Sequence, residues 1–192
     1  MAGMGFNVFR FSISWSRIFP TGEEAQPNEE GLKFYEDLID ELEKYGMQPL
    51  ITIHHDELPL ALAEKYDGWS SRHVIECYLH YCRVLFERFG RRCRYWLTFN
   101  EINAVRGFAA CGTHKADNQT HYNAVHNMFL ASARAVKLGH EMMPESMFGG
   151  MYALSEIYPA TCKPEDMFRH LQCRRESFYF VDTMARGAYP SY

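Results

Sequence analysis

The 192-residue sequence lacks features that would define several other classes of protein. It has no run of about 18 apolar residues, so we expect no membrane span. Its first residues lack the basic and apolar segments of a signal peptide. The formal net charge is −4, and the one basic run, residues 91–94, is short. Because nucleic-acid-binding proteins carry clustered lysine and arginine, we expect no nucleic-acid partner.

The six cysteines include no C-x-x-C pair, which argues against zinc and thiol-redox motifs. A chain of this length buries enough apolar surface to fold without disulfides, so we expect reduced thiols and a cytoplasmic location. Hydrophobic residues make up 47% and charged residues 23% of the chain, values typical of a soluble globular protein. We therefore expect residues 1–192 to form a single domain.

Strand-like and helix-like segments alternate along the chain. Strands are predicted where β-branched and aromatic residues cluster, and helices where apolar residues recur every three or four positions. The predicted strands are Phe6–Ile13, Pro49–Ile53, Tyr95–Phe99 and Met147–Tyr152. The predicted helices are Glu29–Tyr45, Arg72–Phe89, Asn123–Met142 and Glu165–Ala185.

This alternation predicts an α/β fold with a parallel sheet. Two architectures fit the order: an open doubly wound sheet and part of a barrel. The open sheet usually binds phosphates through a glycine-rich first turn, and no G-x-G-x-x-G follows the first strand here. A complete barrel takes about 250 residues. We therefore expect a partial (β/α)8 TIM barrel, with parallel strands alternating with helices.

Polar and aromatic residues concentrate directly after the predicted strands, where barrel enzymes carry their reactive groups. They are Ser12, Ser14 and Trp15, then His54 and His55, then Asn100 and Glu101, and finally Tyr152 and Glu156. Glu101 is the strongest candidate for a catalytic acid. Partial desolvation at the end of an apolar strand favours the protonated form of a carboxyl group, which acid catalysis needs. From position alone, a structural role for Glu101, as a helix cap or an arginine partner, stays open.

The segment Thr98–Asn103 resembles the acid/base motif of family 1 glycoside hydrolases. Further segments are similar to other parts of that family, in the family's order and spacing, and such linked motifs are more specific than one short pattern. They are Arg10–Pro20 (second barrel strand and loop), Pro27–Tyr35 (start of the next helix), His55–Pro59 (loop with a sugar-binding histidine) and Gly68–Arg72 (a marker after that loop). The resemblance covers essentially the whole chain.

The resemblance implies a role for each matching residue. Glu101 would be the general acid of the first step and the general base of the second. Asn100 would hydrogen-bond the sugar 2-hydroxyl, and His55 would contact hydroxyls of the same ring. Arg10 would support the charge of the nucleophilic carboxylate from beneath. This chemistry needs no metal and no organic cofactor.

Two features resemble the 6-phospho-β-glucosidase branch of the family. Ile102-Asn103 follows Glu101, where plain β-glucosidases usually carry a proline. Gly149–Leu154 and Tyr158–Asp166 are similar to that branch's fifth strand and the segment after it. The resemblance therefore implies retaining hydrolysis of 6-phospho-β-glucosides, with a phosphorylated β-glucoside as the partner. A β-glucosidase acting on unphosphorylated sugars is the alternative.

Some parts of the family pattern have no match in these residues. They are the family's first strand, its phosphate-binding loop and the strand with the nucleophilic glutamate. Retaining hydrolysis uses two carboxyl groups about 5–5.5 Å apart, and Glu156 and Glu176 are only weak candidates for the second. We therefore expect no appreciable hydrolysis by this chain. Asp56 also stands where relatives usually carry an aromatic residue.

A half-barrel has two open sheet edges, so a non-catalytic half-barrel that self-associates is a further alternative. A metal site is not expected. His54 and His55 point to opposite faces of an extended segment and cannot easily share an ion. His121 and His126 are five residues apart, whereas a helical zinc pair is spaced by four.

Overall fold

The protein, described over residues 1–192 by a computed structural model, is built around a four-stranded parallel sheet. Its strands β1 to β4 are Val8–Ser12, Gln48–His54, Tyr95–Phe99 and Met147–Gly149. They follow one another in the sheet in chain order, and each neighbouring pair is parallel. The C-terminal ends of all four strands therefore lie along one edge of the sheet.

Seven α-helices connect and cover these strands. Helices α1 to α7 are Trp15–Ile18, Glu29–Lys44, Leu60–Tyr66, His73–Phe89, Gly107–Cys111, Asn118–Met142 and Pro164–Arg186. Two 3₁₀ turns, Ala2–Met4 and Gly68–Ser70, complete the structure. None of the helices has both the length and the apolar character needed to cross a lipid bilayer.

The structure confirms the predicted alternation of parallel strands with helices. Some strands begin or end at residues other than the predicted ones. The third strand has its predicted bounds. The first begins at Val8 rather than Phe6, and the fourth ends at Gly149 rather than Tyr152. Both are edge strands with a neighbour on one side only. The β1 ladder begins where its neighbour begins, because Val8 pairs with Gln48, the first residue of β2. The β4 ladder ends at Gly149, which pairs with Leu97, although β3 continues to Phe99.

Helices α1, α3 and α5 were not predicted, because four to seven residues are too few to show an apolar repeat. The start of α6 was also predicted wrongly, at Asn123 instead of Asn118. Asp117 explains the earlier start. Its carboxylate accepts a hydrogen bond from the Thr120 amide at 2.9 Å and so caps the first turn.

The core lies between the sheet and helices α2, α4 and α6, and its centre is aromatic. Trp15 and Tyr81 stack with ring centroids 5.3 Å apart, and both are buried. The Tyr81 hydroxyl donates to the carbonyls of Ile13 and Ile53 at 2.9 and 3.2 Å. The hydroxyl of Tyr78 donates to a β3 carbonyl at 2.8 Å. Helix α4 thereby fixes the C-terminal ends of three strands.

Candidate active site

Three of the four predicted site residues follow the C-terminal ends of strands, and the fourth, Arg10, reaches that edge through its side chain. Arg10 is on β1, His55 follows β2, and Asn100 and Glu101 follow β3. Strands β2 and β3 end level with each other in the parallel register. Because the strand ends are level, residues far apart in the sequence become neighbours here.

The guanidinium of Arg10 is fixed by hydrogen bonds to the two neighbouring strands. Its Nη2 donates to Asn100 Oδ1 at 2.7 Å, and its Nε donates to Thr52 Oγ1 at 2.9 Å. Both acceptor residues are buried. A guanidinium has donors only, so the atom of Asn100 that contacts it is the oxygen. The amide nitrogen Nδ2 of Asn100 is therefore the atom available to donate to a ligand.

Glu101 has a backbone conformation that residues other than glycine rarely adopt. Its φ is +40°, and the other non-glycine residues with positive φ are Asp56 (+52°) and Asp67 (+57°). The Glu101 side chain is half-buried. Strained backbone of this kind concentrates at functional sites. Two of the three strained residues lie at this edge of the sheet, which marks the edge as a candidate site.

The adjacent histidines lie on opposite sides of the β2 end, as predicted. His54 is buried and accepts a hydrogen bond at Nε2 from Trp69 Nε1 at 3.2 Å. Burial lowers the pKa of His54 to about 3, so its ring is neutral. His55 is exposed. His54 is therefore part of the core, and His55 is the imidazole accessible to a ligand.

Asp56 is a second carboxyl group close to Glu101. Burial raises the pKa of Asp56, His55 lowers it, and the negative charge of Glu101 raises it again. Partial burial is the largest of these effects, and the smaller effect of Glu101 indicates that the two carboxyl groups are near enough to interact electrostatically.

Glu57 joins the loop after β2 to the loop after β1. Its carboxylate accepts hydrogen bonds from the hydroxyls of Ser14 and Ser16. The Ser14 hydroxyl also caps α1 by accepting from the Arg17 amide. This loop-to-loop contact was not predicted, although the sequence placed Ser14 at the correct edge.

Asn103 anchors the loop that carries Glu101 to the segment after β4. Its Nδ2 donates to the Ala153 carbonyl at 2.9 Å, and its Oδ1 accepts from the Ala153 amide at 3.0 Å. The side chain thus pairs with the backbone as a neighbouring strand would. This positioning role was missed. The sequence feature that could have indicated this role is the pair Ile102-Asn103 directly after Glu101.

The remaining edge candidates do not join the Arg10–Asn100 pair. Trp15 is 1% exposed and belongs to the aromatic core. The Tyr152 hydroxyl donates to a carbonyl of α7 at 2.5 Å. Glu156 and Glu176 are exposed.

A cavity lies beside the candidate site, between α6, β4 and α7. Its volume is about 770 Å³, and its lining includes Phe129, Phe148, Met184 and Tyr189. Ile102 connects it to the loop of the acid/base candidate. Most of the lining is apolar. Because sugar hydroxyls need hydrogen-bond partners when they are buried, this cavity does not suit a sugar ring.

The sequence model of "Glycosyl hydrolase family 1" matches residues 1–192. The chain belongs to glycosyl hydrolase family 1, as its motifs predicted. Two curated relatives each match the whole chain. The "Aryl-phospho-beta-D-glucosidase BglH" of Bacillus subtilis (strain 168) is 48% identical, and the "6-phospho-beta-glucosidase" of Dickeya chrysanthemi is 47% identical. The matches cover 42% of each relative's length.

The solved structure "Family 1 b-glucosidase from Thermotoga maritima" is similar with a TM-score of 0.90 and 36% sequence identity. The match covers 99% of this chain and 44% of that one. The chain thus spans less than half the length of the relatives it matches. The likeness confirms that strands β1 to β4 and their helices form part of a TIM barrel.

Proposed function

We propose that these residues supply the acid/base side of a retaining hydrolase of 6-phospho-β-glucosides, acting in carbohydrate metabolism. The observation that carries the proposal is the position of Glu101 next to the Arg10–Asn100 pair, at the strand ends of the barrel segment. Relatives named as phospho-β-glucosidases support the phosphorylated substrate. Six free cysteines support a reducing, cytoplasmic location.

In the proposed reaction, Glu101 gives its proton to the glycosidic oxygen as the bond to the sugar breaks. The same carboxylate then takes a proton from the water that completes hydrolysis. Asn100 Nδ2 donates to the 2-hydroxyl, and Arg10 holds the amide in that orientation. His55 contacts further ring hydroxyls. The positive charge of Arg10 favours the ionised form of a nucleophilic carboxylate placed above it.

The proposed reaction needs a second, ionised carboxylate about 5–5.5 Å from the acid. Asp56 is the carboxyl group whose pKa Glu101 affects, but Arg10, which would hold a nucleophile ionised, donates to Asn100 and Thr52 and not to Asp56. We therefore propose that the 192-residue chain has no appreciable activity by itself.

The isolated chain is expected to release nitrophenol from 4-nitrophenyl β-glucoside 6-phosphate no faster than its own Glu101→Gln variant. Absorbance at equal protein concentration measures both rates. Activity that Glu101→Gln abolishes would contradict the proposed lack of a nucleophile. An Asp56→Asn variant would then show whether Asp56 supplies it.

Two grafts test the proposed substrate. In the first, residues 1–192 replace the matching segment of the Dickeya chrysanthemi enzyme, which is 47% identical. In the second, residues 1–192 replace the matching segment of the Thermotoga maritima β-glucosidase, whose structure matches this chain with a TM-score of 0.90. We expect the first graft to hydrolyse the phosphorylated substrate. Activity of the second graft alone, on the unphosphorylated glucoside, would favour the β-glucosidase alternative.

A non-catalytic half-barrel that self-associates is the second candidate, and the sheet edges favour it. Strands β1 and β4 are both edge strands. Val8 on β1 is 43% exposed and Met147 on β4 is 55% exposed. Unpaired strand edges with apolar side chains are templates for pairing with another chain.

Under this second candidate, Val8→Lys is expected to shift the chain from oligomer to monomer, because a lysine on an edge strand opposes edge-to-edge pairing. Sizing chromatography with light scattering over a range of concentrations measures the change. Tyr45→Lys is the matched control, since Tyr45 is 63% exposed at the end of α2 and is not part of a strand. A wild-type chain that stays monomeric throughout would contradict this candidate.

A further inference from the structure

Three metal-ligating side chains meet on the surface formed by α4 and the segment between α1 and α2. They are Glu23, on that segment, and His73 and Cys77, in the first turns of α4. Their ligand atoms all lie within 4.8 Å of one another. His73 Nε2 is 2.8 Å from Glu23 Oε1 and 3.5 Å from Cys77 Sγ.

These distances are close to those of a zinc site. Zinc binds nitrogen and oxygen at about 2.0–2.2 Å and sulfur at about 2.3 Å, so tetrahedral ligands lie roughly 3.3–3.6 Å apart. The separation between His73 and Cys77 already falls in this range. The separation between His73 and Glu23 would have to open by about 0.5 Å. Both of these side chains are exposed, so a small rotation suffices.

The fold holds the three ligands in place. His73 and Cys77 are one helical turn apart, which puts their side chains on the same face of α4. The carboxylate of Glu23 is oriented by Lys65 Nζ at 2.8 Å and by the Tyr66 hydroxyl at 2.7 Å. Partners of this kind beyond the ligands commonly fix a metal site.

We propose that Glu23, His73 and Cys77 bind a zinc ion, with a water molecule as the fourth ligand. The ion would join the segment after α1 to the start of α4. In the metal-free protein the same side chains form a hydrogen-bonded pair of Glu23 and His73, with the Cys77 thiol beside it. The site is separate from the proposed glycosidase chemistry and does not depend on it.

Zinc binds the thiolate form of cysteine, so the Cys77 thiol gives up its proton when the ion binds.

The test is a titration of the full 192-residue chain with Zn²⁺ in competition with a chromophoric chelator. We expect one zinc ion per chain. His73→Ala and Cys77→Ser should each reduce the zinc affinity roughly 100-fold or more. This loss exceeds the one that is typical when a residue that only hydrogen-bonds a ligand is replaced. His80→Ala and Cys162→Ser are matched controls, because both residues are exposed and lie outside the set. Neither control is expected to change the affinity.

Co²⁺ reports the ligand atoms directly. We expect a thiolate-to-cobalt charge-transfer band that Cys77→Ser removes and Cys162→Ser leaves unchanged. Glu23→Gln and His73→Ala change exposed side chains, so circular dichroism should show an intact fold even where Cys77→Ser unfolds the chain. Equal zinc affinity in the wild type and His73→Ala, or a cobalt complex with no thiolate band, would overturn the site.

Discussion

Glu101→Gln is expected to lower hydrolysis of a β-glucoside 6-phosphate by about 10²–10⁴-fold in the active graft. Glutamine has the shape of the protonated acid, but it cannot transfer a proton to the leaving oxygen. The size of the loss should depend on the leaving group, because an acidic phenol departs without protonation. Measuring kcat/KM over a series of aryl substrates with phenols of different acidity gives this dependence.

Glu156→Gln is the matched control for this experiment, because Glu156 is exposed and follows the neighbouring strand β4. Azide supplies a second test. As an anion it attacks without a general base, so it should restore turnover of Glu101→Gln on an activated substrate. An equal loss in Glu156→Gln would contradict the acid/base role of Glu101. A loss that is the same for every leaving group would contradict it as well.

The strands and long helices could be predicted because each carries its own local pattern. The aromatic and β-branched run Tyr95–Phe99 is β3 without any change of bounds. Asn28 caps α2 by accepting from the Glu30 amide at 3.2 Å, and Gly46 follows the helix with a φ of +65°. The short helices have no repeat to detect. Their positions depend on how the loops pack, which a local pattern does not contain.

The candidate residues could be predicted to lie near one another because parallel strands bring their C-terminal ends to one edge. The contacts between loops could not be predicted in the same way. Asn103 and Ala153 are 50 positions apart, as are Glu23 and His73. Neither pair belongs to a shared local motif. One sequence shows which residues follow each strand, but it does not show which loops meet.

Asn100→Ala is expected to lower kcat/KM by about 10²–10³-fold in the same graft, the usual cost of losing one hydrogen-bond donor that acts in the transition state. The proposed bond from Nδ2 to the 2-hydroxyl strengthens as positive charge develops on the sugar ring. A 2-deoxy substrate has no such hydroxyl. Asn100→Ala should therefore have little effect on that substrate, and comparing both substrates with both proteins isolates the contact.

The same substitution also removes the acceptor that lies 2.7 Å from Arg10 Nη2. A half-buried donor left without a partner costs about 1–3 kcal/mol in the free energy of unfolding, which urea titration measures. Asn100→Asp separates the two effects, because aspartate still accepts from Arg10 but has no N–H to donate. We expect this variant to recover stability while hydrolysis of the 2-hydroxy substrate stays slow. If both substrates lost rate equally, Asn100 would act only by holding Arg10, and the 2-hydroxyl contact would be refuted.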